Sequence, residues 1–152
     1  MKKLSNGVDR HTIARRIGEL TPSDTRRWGL MNVHQMVCHL DDSYKIALGQ
    51  KTSSPAGGGR MQGSVIKWFA LKAPMRWPKG VPTRPEVEQG KGGTLPGDFN
   101  DDLASLQGSL SRFCEALPRP LPTHPIFGAM TMDDWMRWGY LHADHHLRQF
   151  GR

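Results

Sequence analysis

Apolar residues that recur at helical spacing constrain the fold of this chain most strongly. From about residue 98 or 100 to residue 117, they follow steps of three and four positions: Leu103, Leu106, Leu110, Phe113 and Leu117. Such a stripe indicates an amphipathic helix that buries one face. No segment alternates polar and apolar residues as a half-buried strand does, so we predict an all-α bundle.

Three other segments show the same periodicity and carry helix start signals. Asp9 is suited to cap the first, and Asn32 and Gln35 have the capping-box spacing at the start of the second. Asp133 and Asp134 complement the positive end of the last helix dipole. These helices are predicted over 9–20, 32–49 and 131–150.

Residues 51–97 differ in composition from the helical segments. They contain six of the eleven prolines, nine of the seventeen glycines, eight basic residues and two acidic ones. One apolar piece, 65–71, is expected to be a short helix or extended segment, and prolines at 74, 78, 82 and 85 prevent regular structure around it. We predict a long irregular basic insertion that packs over one end of a single domain, 1–152.

The insertion holds most of the net charge of +7, so the helical part is nearly neutral. Trp68, Phe69 and Trp77 interleave with basic residues there, which leaves nucleic-acid binding as an alternative, but the chain has no nucleic-acid motif and this partner is not expected. No apolar run is long enough for a membrane span. Cys38 and Cys114 lie in predicted helices, so we expect no disulfide and a cytoplasmic location.

The histidines of the last predicted helix have the spacing of metal ligands. His142 and His146 are four apart and share one helix face, whereas His145 points about 100° away and is expected to line the pocket. Gln149 could support a ligand, and His39 in the second helix is the best third ligand. Three nitrogens around one ion would leave an open position. Spacing alone leaves open whether these are instead surface or hydrogen-bonded core histidines.

Further residues have candidate roles around this site. Asp42, three positions after His39, could accept a hydrogen bond from a ligand ring or take up a proton, or it could be a solvated helix residue. Arg76, Lys79 and Arg84 could bind an anionic thiol cofactor or substrate, and the alternative is a solubilising loop without a ligand.

Other chemistry-bearing side chains are predicted to be structural. Cys38 is expected to pack in the core rather than act as a nucleophile. The same expectation applies to the large side chains Met36, Trp135, Met136 and Trp138. The other three histidines, His11, His34 and His124, are poorer candidates for metal ligands.

Three stretches of sequence resemble the DinB-like superfamily: WGLMNVHQMVCHL at 28–40, HPIFG at 124–128 and HADHHLRQFG at 142–151. The closest likeness is to an uncharacterised branch of short proteins. The resemblance implies an up-and-down four-helix bundle, often dimeric, that binds a divalent metal such as zinc or nickel through His39, His142 and His146. Gln149 matches a glutamine that commonly follows these ligands. Arg148, where the superfamily usually has glycine, and the basic insertion depart from the pattern.

Characterised DinB-like proteins include transferases and isomerases that use low-molecular-weight thiols. The resemblance therefore implies a metal-dependent enzyme of the thiol-dependent transferase or hydrolase type, acting on a small molecule and forming a homodimer. A metal-binding protein without catalytic activity, and a nucleic-acid or stress-associated interaction protein that uses the 51–97 loop, are the alternatives.

Overall fold

Helices account for the regular secondary structure of the chain in our computed structural model. The structure describes residues 1–54, 60–73 and 76–152, with the side chains of 60–65 left out. Within these residues there are five α-helices, one 3-10 turn and no β-strand, which confirms the all-α prediction. The helices are α1 Gly7–Gly18, α2 Val33–Ala47, α3 Arg60–Lys72, α4 Phe99–Glu115 and α5 Met132–Gln149, and the 3-10 turn is Pro85–Val87.

Two helix starts follow the predicted capping signals. The Asn32 side chain accepts the Gln35 backbone N–H, and the Gln35 side chain accepts the Asn32 N–H, which completes a capping box at α2. Thr131 forms the same arrangement with Asp134 at α5. Gly49 follows α2 with φ +70°, the left-handed conformation in which glycine commonly ends a helix.

The predicted start of the first helix is wrong by two residues. Asn6, not Asp9, caps α1, because its side chain accepts the backbone N–H groups of Val8 and Asp9. The Asp9 carboxylate instead accepts the backbone N–H of Lys3, which ties the N-terminal segment to α1.

The insertion is more regular than predicted. Instead of a short piece over 65–71, it contains the 13-residue helix α3, which packs against α5. Leu71 is fully buried, and its carbonyl accepts the Nε–H of Arg137 from α5. Tertiary contacts of this kind stabilise a helix that the local sequence signals only weakly. The predicted break at Pro74 lies outside the described residues.

A close approach between α2 and α5 places the two helices that carry the candidate site. The buried Tyr44 hydroxyl of α2 donates a hydrogen bond of 3.1 Å to the carbonyl of Gly139 in α5. A Cβ atom at Gly139 would lie 2.7 Å from the Phe113 ring and 2.8 Å from the Leu4 side chain, so only glycine fits there. The predicted core residues Met36, Trp135, Met136 and Trp138 are all buried, in the same hydrophobic core as Tyr44.

The part of the insertion that follows α3 is fastened to α2 by a buried carboxylate. Asp42 is fully buried and accepts hydrogen bonds of 2.7 Å from both the backbone N–H and the hydroxyl of Thr94, while Lys51 lies 2.7 Å away. Thus the insertion is held against α2. Every helix of the described part is too short or too polar to cross a lipid bilayer.

Candidate metal centre

Three histidines from two helices meet beneath the insertion. His39 of α2 and His142 of α5 approach to 3.2 Å between their Nε2 atoms. The His146 ring lies 4.7 Å from the His39 ring and 4.9 Å from the His142 ring, measured between centroids. One ligand atom from each of the three residues lies within 4.8 Å of the other two. The structure thus brings together the three predicted metal ligands.

Hydrogen bonds fix the orientation of two of these rings. The Nδ1–H of His39 donates to the Val87 carbonyl at 3.1 Å, which leaves the Nε2 lone pair facing His142. Gln149 donates its amide N–H to the Trp28 carbonyl at 2.7 Å, so its Oε1 must be the atom 3.0 Å from His146 Nδ1. That oxygen can only accept, so His146 carries its proton on Nδ1. The His146 Nε2 lone pair is therefore free, as metal binding requires.

The third ring, His142, stacks on an aromatic side chain and makes its one side-chain hydrogen-bond contact of the described structure with His39. It lies against Trp138 at 5.1 Å between centroids, with 28° between the ring planes. Its buried Nδ1 has no hydrogen-bond partner among the described residues. Its Nε2 faces His39.

The residues fit a divalent metal ion. Burial, followed by the neighbouring histidines, lowers the pKa of His142, and burial lowers the pKa of His39 and His146. Neutral imidazole is the form that coordinates a metal. Two tetrahedral nitrogen ligands at zinc distances are about 3.3 Å apart, close to the 3.2 Å between the His39 and His142 Nε2 atoms.

The triad opens into a cavity of about 940 Å³. Its walls are largely aromatic and aliphatic, and the insertion supplies much of them. A cavity of this size, with a few polar groups at its base, is typical of a small-molecule site. Its apolar lining residues include Leu30, Met31, Ile46, Phe69, Val81 and Ile126.

The other predicted site residues are distributed around the triad rather than in it. His145 lies between the rings of Trp28 and Trp77, with centroids 6.2 and 6.1 Å away. The Asp42 carboxylate accepts hydrogen bonds from Thr94 of the insertion and not from a ligand ring. Asp42 is also fully buried, so it is not a solvated helix residue. Arg84 is bound to Glu86 at 3.0 Å and to the Ser54 carbonyl. By contrast, Arg76 and Lys79 face a recess beside the cavity.

A second group of candidate ligands, between α2 and α4, is better explained as a structural contact. His34 Nε2 lies 2.7 Å from Asp102 Oδ2, which also accepts the Gly97 backbone N–H at 2.9 Å. The Cys38 thiol donates to the same oxygen at 3.6 Å. Burial, together with Asp102, raises the pKa of Cys38 to about 12, so the thiol stays protonated. Both Cys38 and Cys114 are free, as predicted.

Sequence reasoning missed several residues that complete the site. Val87 and Trp28 act through backbone carbonyls, which any residue possesses, so no sequence signal marks them. Trp77 comes from the insertion, and its ring lies 6.0 Å from that of His142. His124 is buried, and its Nδ1 accepts the backbone N–H groups of Ile126 and Phe127. The HPIFG motif in which it lies was the available signal.

His124 predicts that acid destabilises the fold. Burial lowers its pKa from 6.5 to about 3, so the folded protein keeps the ring neutral while the unfolded chain takes up a proton. The stabilisation is complete above pH 6.5 and is lost as the pH falls towards 3. Between pH 7 and pH 5, we expect this residue to account for a loss of about 2 kcal/mol in the free energy of unfolding.

The variant His124→Asn isolates this contribution, because asparagine keeps a hydrogen-bond acceptor but does not titrate. Urea unfolding of the metal-free protein at pH 7 and pH 5 should show a pH effect that is smaller by about 2 kcal/mol in the variant. An unchanged pH effect would mean that His124 is not held neutral in the fold. The triad histidines are present in both proteins and cancel in the comparison.

Comparison with known proteins identifies one related group. A family model described as "Protein of unknown function (DUF1569)" matches residues 8–152, which is nearly the whole chain. No curated protein matches the chain. The search of solved structures likewise gave no match.

Proposed function

This chain belongs to the DUF1569 family, and we propose that it binds one divalent metal ion through His39, His142 and His146. The observation that carries the proposal is the convergence of these rings with two of their Nδ1–H groups already bound to acceptors. Lone pairs that face one another repel unless a cation or a proton lies between them. A metal ion satisfies all of them at once, whereas one shared proton satisfies only a pair.

We further propose that the metal centre is catalytic and that the fold is DinB-like, as the sequence motifs suggest. With three protein ligands, a divalent ion keeps a position at which water or a thiol is acidified. The adjoining cavity supports this proposal, because a purely structural metal site is normally closed. The resemblance favours zinc or nickel as the metal, and a thiol-dependent transferase or a hydrolase as the activity.

Metal content tests the first proposal. The protein is stripped with a chelator, dialysed with zinc, nickel or manganese at neutral pH, and analysed for metal and protein. We expect about one equivalent of zinc or nickel per chain. Less than a tenth of an equivalent with every metal would contradict metal binding.

Activity assays then separate a catalytic centre from a binding site. Electrophilic substrates are tested with a panel of low-molecular-weight thiols, and ester or amide substrates are tested without thiol.

A further inference from the structure

A second, smaller recess of about 330 Å³ adjoins the cavity and is strongly basic. Four cationic side chains line it, two from the segment that follows α3, one from the segment before α2 and one from the last turn of α5. These residues, which we call the cationic recess, are Arg27, Arg76, Lys79 and Arg148. The remaining lining consists of Trp28, Trp77 and His145.

Most of this positive charge is not neutralised by the protein. Arg148 is paired with Asp144 at 2.9 Å, and Asp144 also accepts from Arg16. Arg27, Arg76 and Lys79 form no ion pair with a carboxylate of the described residues. Residues 55–65 and 74–75, whose side chains are outside the described part, include no Asp or Glu. Three cations gathered in one concave site therefore attract an anion.

The cationic recess and the cavity are parts of one continuous site. Trp28, Arg76, Trp77 and His145 line both. Lys79 lies 4.4 Å from the centre of the Trp28 ring, which orients its ammonium group at the boundary. The Trp77 ring is 6.0 Å from that of His142, so a small molecule that spans this boundary can reach the triad.

The cavity itself is suited to an apolar group. Phe69 and Val81 remain more than half exposed, and Ile126 is 40% exposed, although all three are large hydrophobic side chains. They line the cavity together with Trp77 and Phe127. Apolar surface that faces a cavity is typical of a binding site for an apolar ligand.

We propose that this site binds an amphipathic organic anion, with its carboxylate or phosphate group in the cationic recess and its apolar body in the cavity. The second part of the inference, that the reacting group lies at the triad, rests on the proposed metal centre. The first part does not need the metal, because the recess and the apolar part of the cavity wall are formed by residues other than the triad. We infer this ligand class because the positive charge lies in the recess, whereas the apolar side chains line the adjoining cavity.

Two matched fluorescent probes test the ligand class on metal-free protein. 8-Anilinonaphthalene-1-sulfonate carries an oxyanion, and N-phenyl-1-naphthylamine has the same aromatic body without it. At low salt, we expect the anionic probe to bind about tenfold more tightly, and to lose this advantage as salt screens the recess. Probe fluorescence and energy transfer from tryptophan both report binding. Equal affinity of the two probes would overturn the proposal.

Charge variants locate the anion. Arg27→Gln/Lys79→Gln, at two positions that line the recess but not the cavity, should weaken binding of the anionic probe about tenfold and leave the neutral probe unchanged. The control Lys2→Gln/Arg119→Gln removes the same charge from exposed positions that line neither cavity. Equal weakening by both variants would overturn the assignment to the recess, as would no weakening by either.

Competing ligands distinguish the two oxyanions. Displacement of the bound probe by decanoate identifies a carboxylate site, and displacement by decyl phosphate identifies a phosphate site; either result supports the proposal if decanol fails to displace. Displacement by decanol as effective as that by the anions contradicts it. Metal content is measured on the same preparations, so a protein that selects anions without binding metal rejects only the proposed metal centre.

Discussion

His146→Ala is expected to abolish stoichiometric metal binding, whereas the neighbouring change His145→Ala leaves it intact. His146 supplies one of three converging nitrogens, and two nitrogens alone hold a divalent ion weakly. His145 is on the same helix and has the same chemistry, but its ring packs edge-on against that of His146 and near Trp28 and Trp77, and it is not one of the three residues whose ligand atoms converge. The pair therefore separates ligation from a general effect of removing a histidine from α5.

Titration of metal-free protein against a competing chelator measures the effect. We expect affinity for zinc to fall at least a hundredfold in His146→Ala and to change less than threefold in His145→Ala. His39→Ala provides a second test from α2, since it should match His146→Ala. Circular dichroism and urea unfolding check that each variant is folded. Folded variants with equal zinc affinity at positions 145 and 146 would contradict the assigned triad.

The sequence predicts a helix well where its ends and its buried face are determined by residues close to it in the chain. The capping box of Asn32 and Gln35 acts within four residues, and it is present as expected. The first helix differed because Asn6 competes successfully with Asp9 for the cap position. Helix α3 could not be predicted in full, because Leu71 and its carbonyl are held by α5, which lies some sixty residues further along the chain.

In the candidate site, too, the sequence predicts what residues of one helix share, but not which residues of two helices meet. Helical spacing places His142 and His146 on one face, but it cannot place His39 opposite them. That juxtaposition depends on the contact between α2 and α5, in which the Tyr44 hydroxyl donates to the Gly139 carbonyl from a residue ninety-five positions away. Asp42 was misread for a related reason, since its partner Thr94 lies in the insertion, whose path the sequence does not reveal.

The hydrogen bonds of the Gln149 side chain, at the end of α5, provide the second strong test of the metal centre. Gln149 joins the Trp28 carbonyl to His146 Nδ1, so it fixes both the position and the tautomer of this ligand. Groups that orient a metal-binding histidine typically contribute about ten- to a hundredfold in affinity. We therefore expect Gln149→Leu, which keeps the size of the side chain but removes both hydrogen bonds, to weaken zinc binding by that factor.

Gly29→Ala should weaken zinc binding in the same range without altering any residue that touches the triad. Its Cβ would overlap Gln149 Nε2, so the amide would have to shift away from the position in which it binds the Trp28 carbonyl and His146. Gly49→Ala is the matched control: it places alanine at a similar positive φ, +70° against +81°, with no atom within 4 Å of the new Cβ. Both variants carry a backbone strain of about 1 kcal/mol or more, but only the first displaces Gln149. Chelator competition should therefore show a loss of zinc affinity in Gly29→Ala alone, and an equal loss in both would mean that Gln149 does not position the ligand.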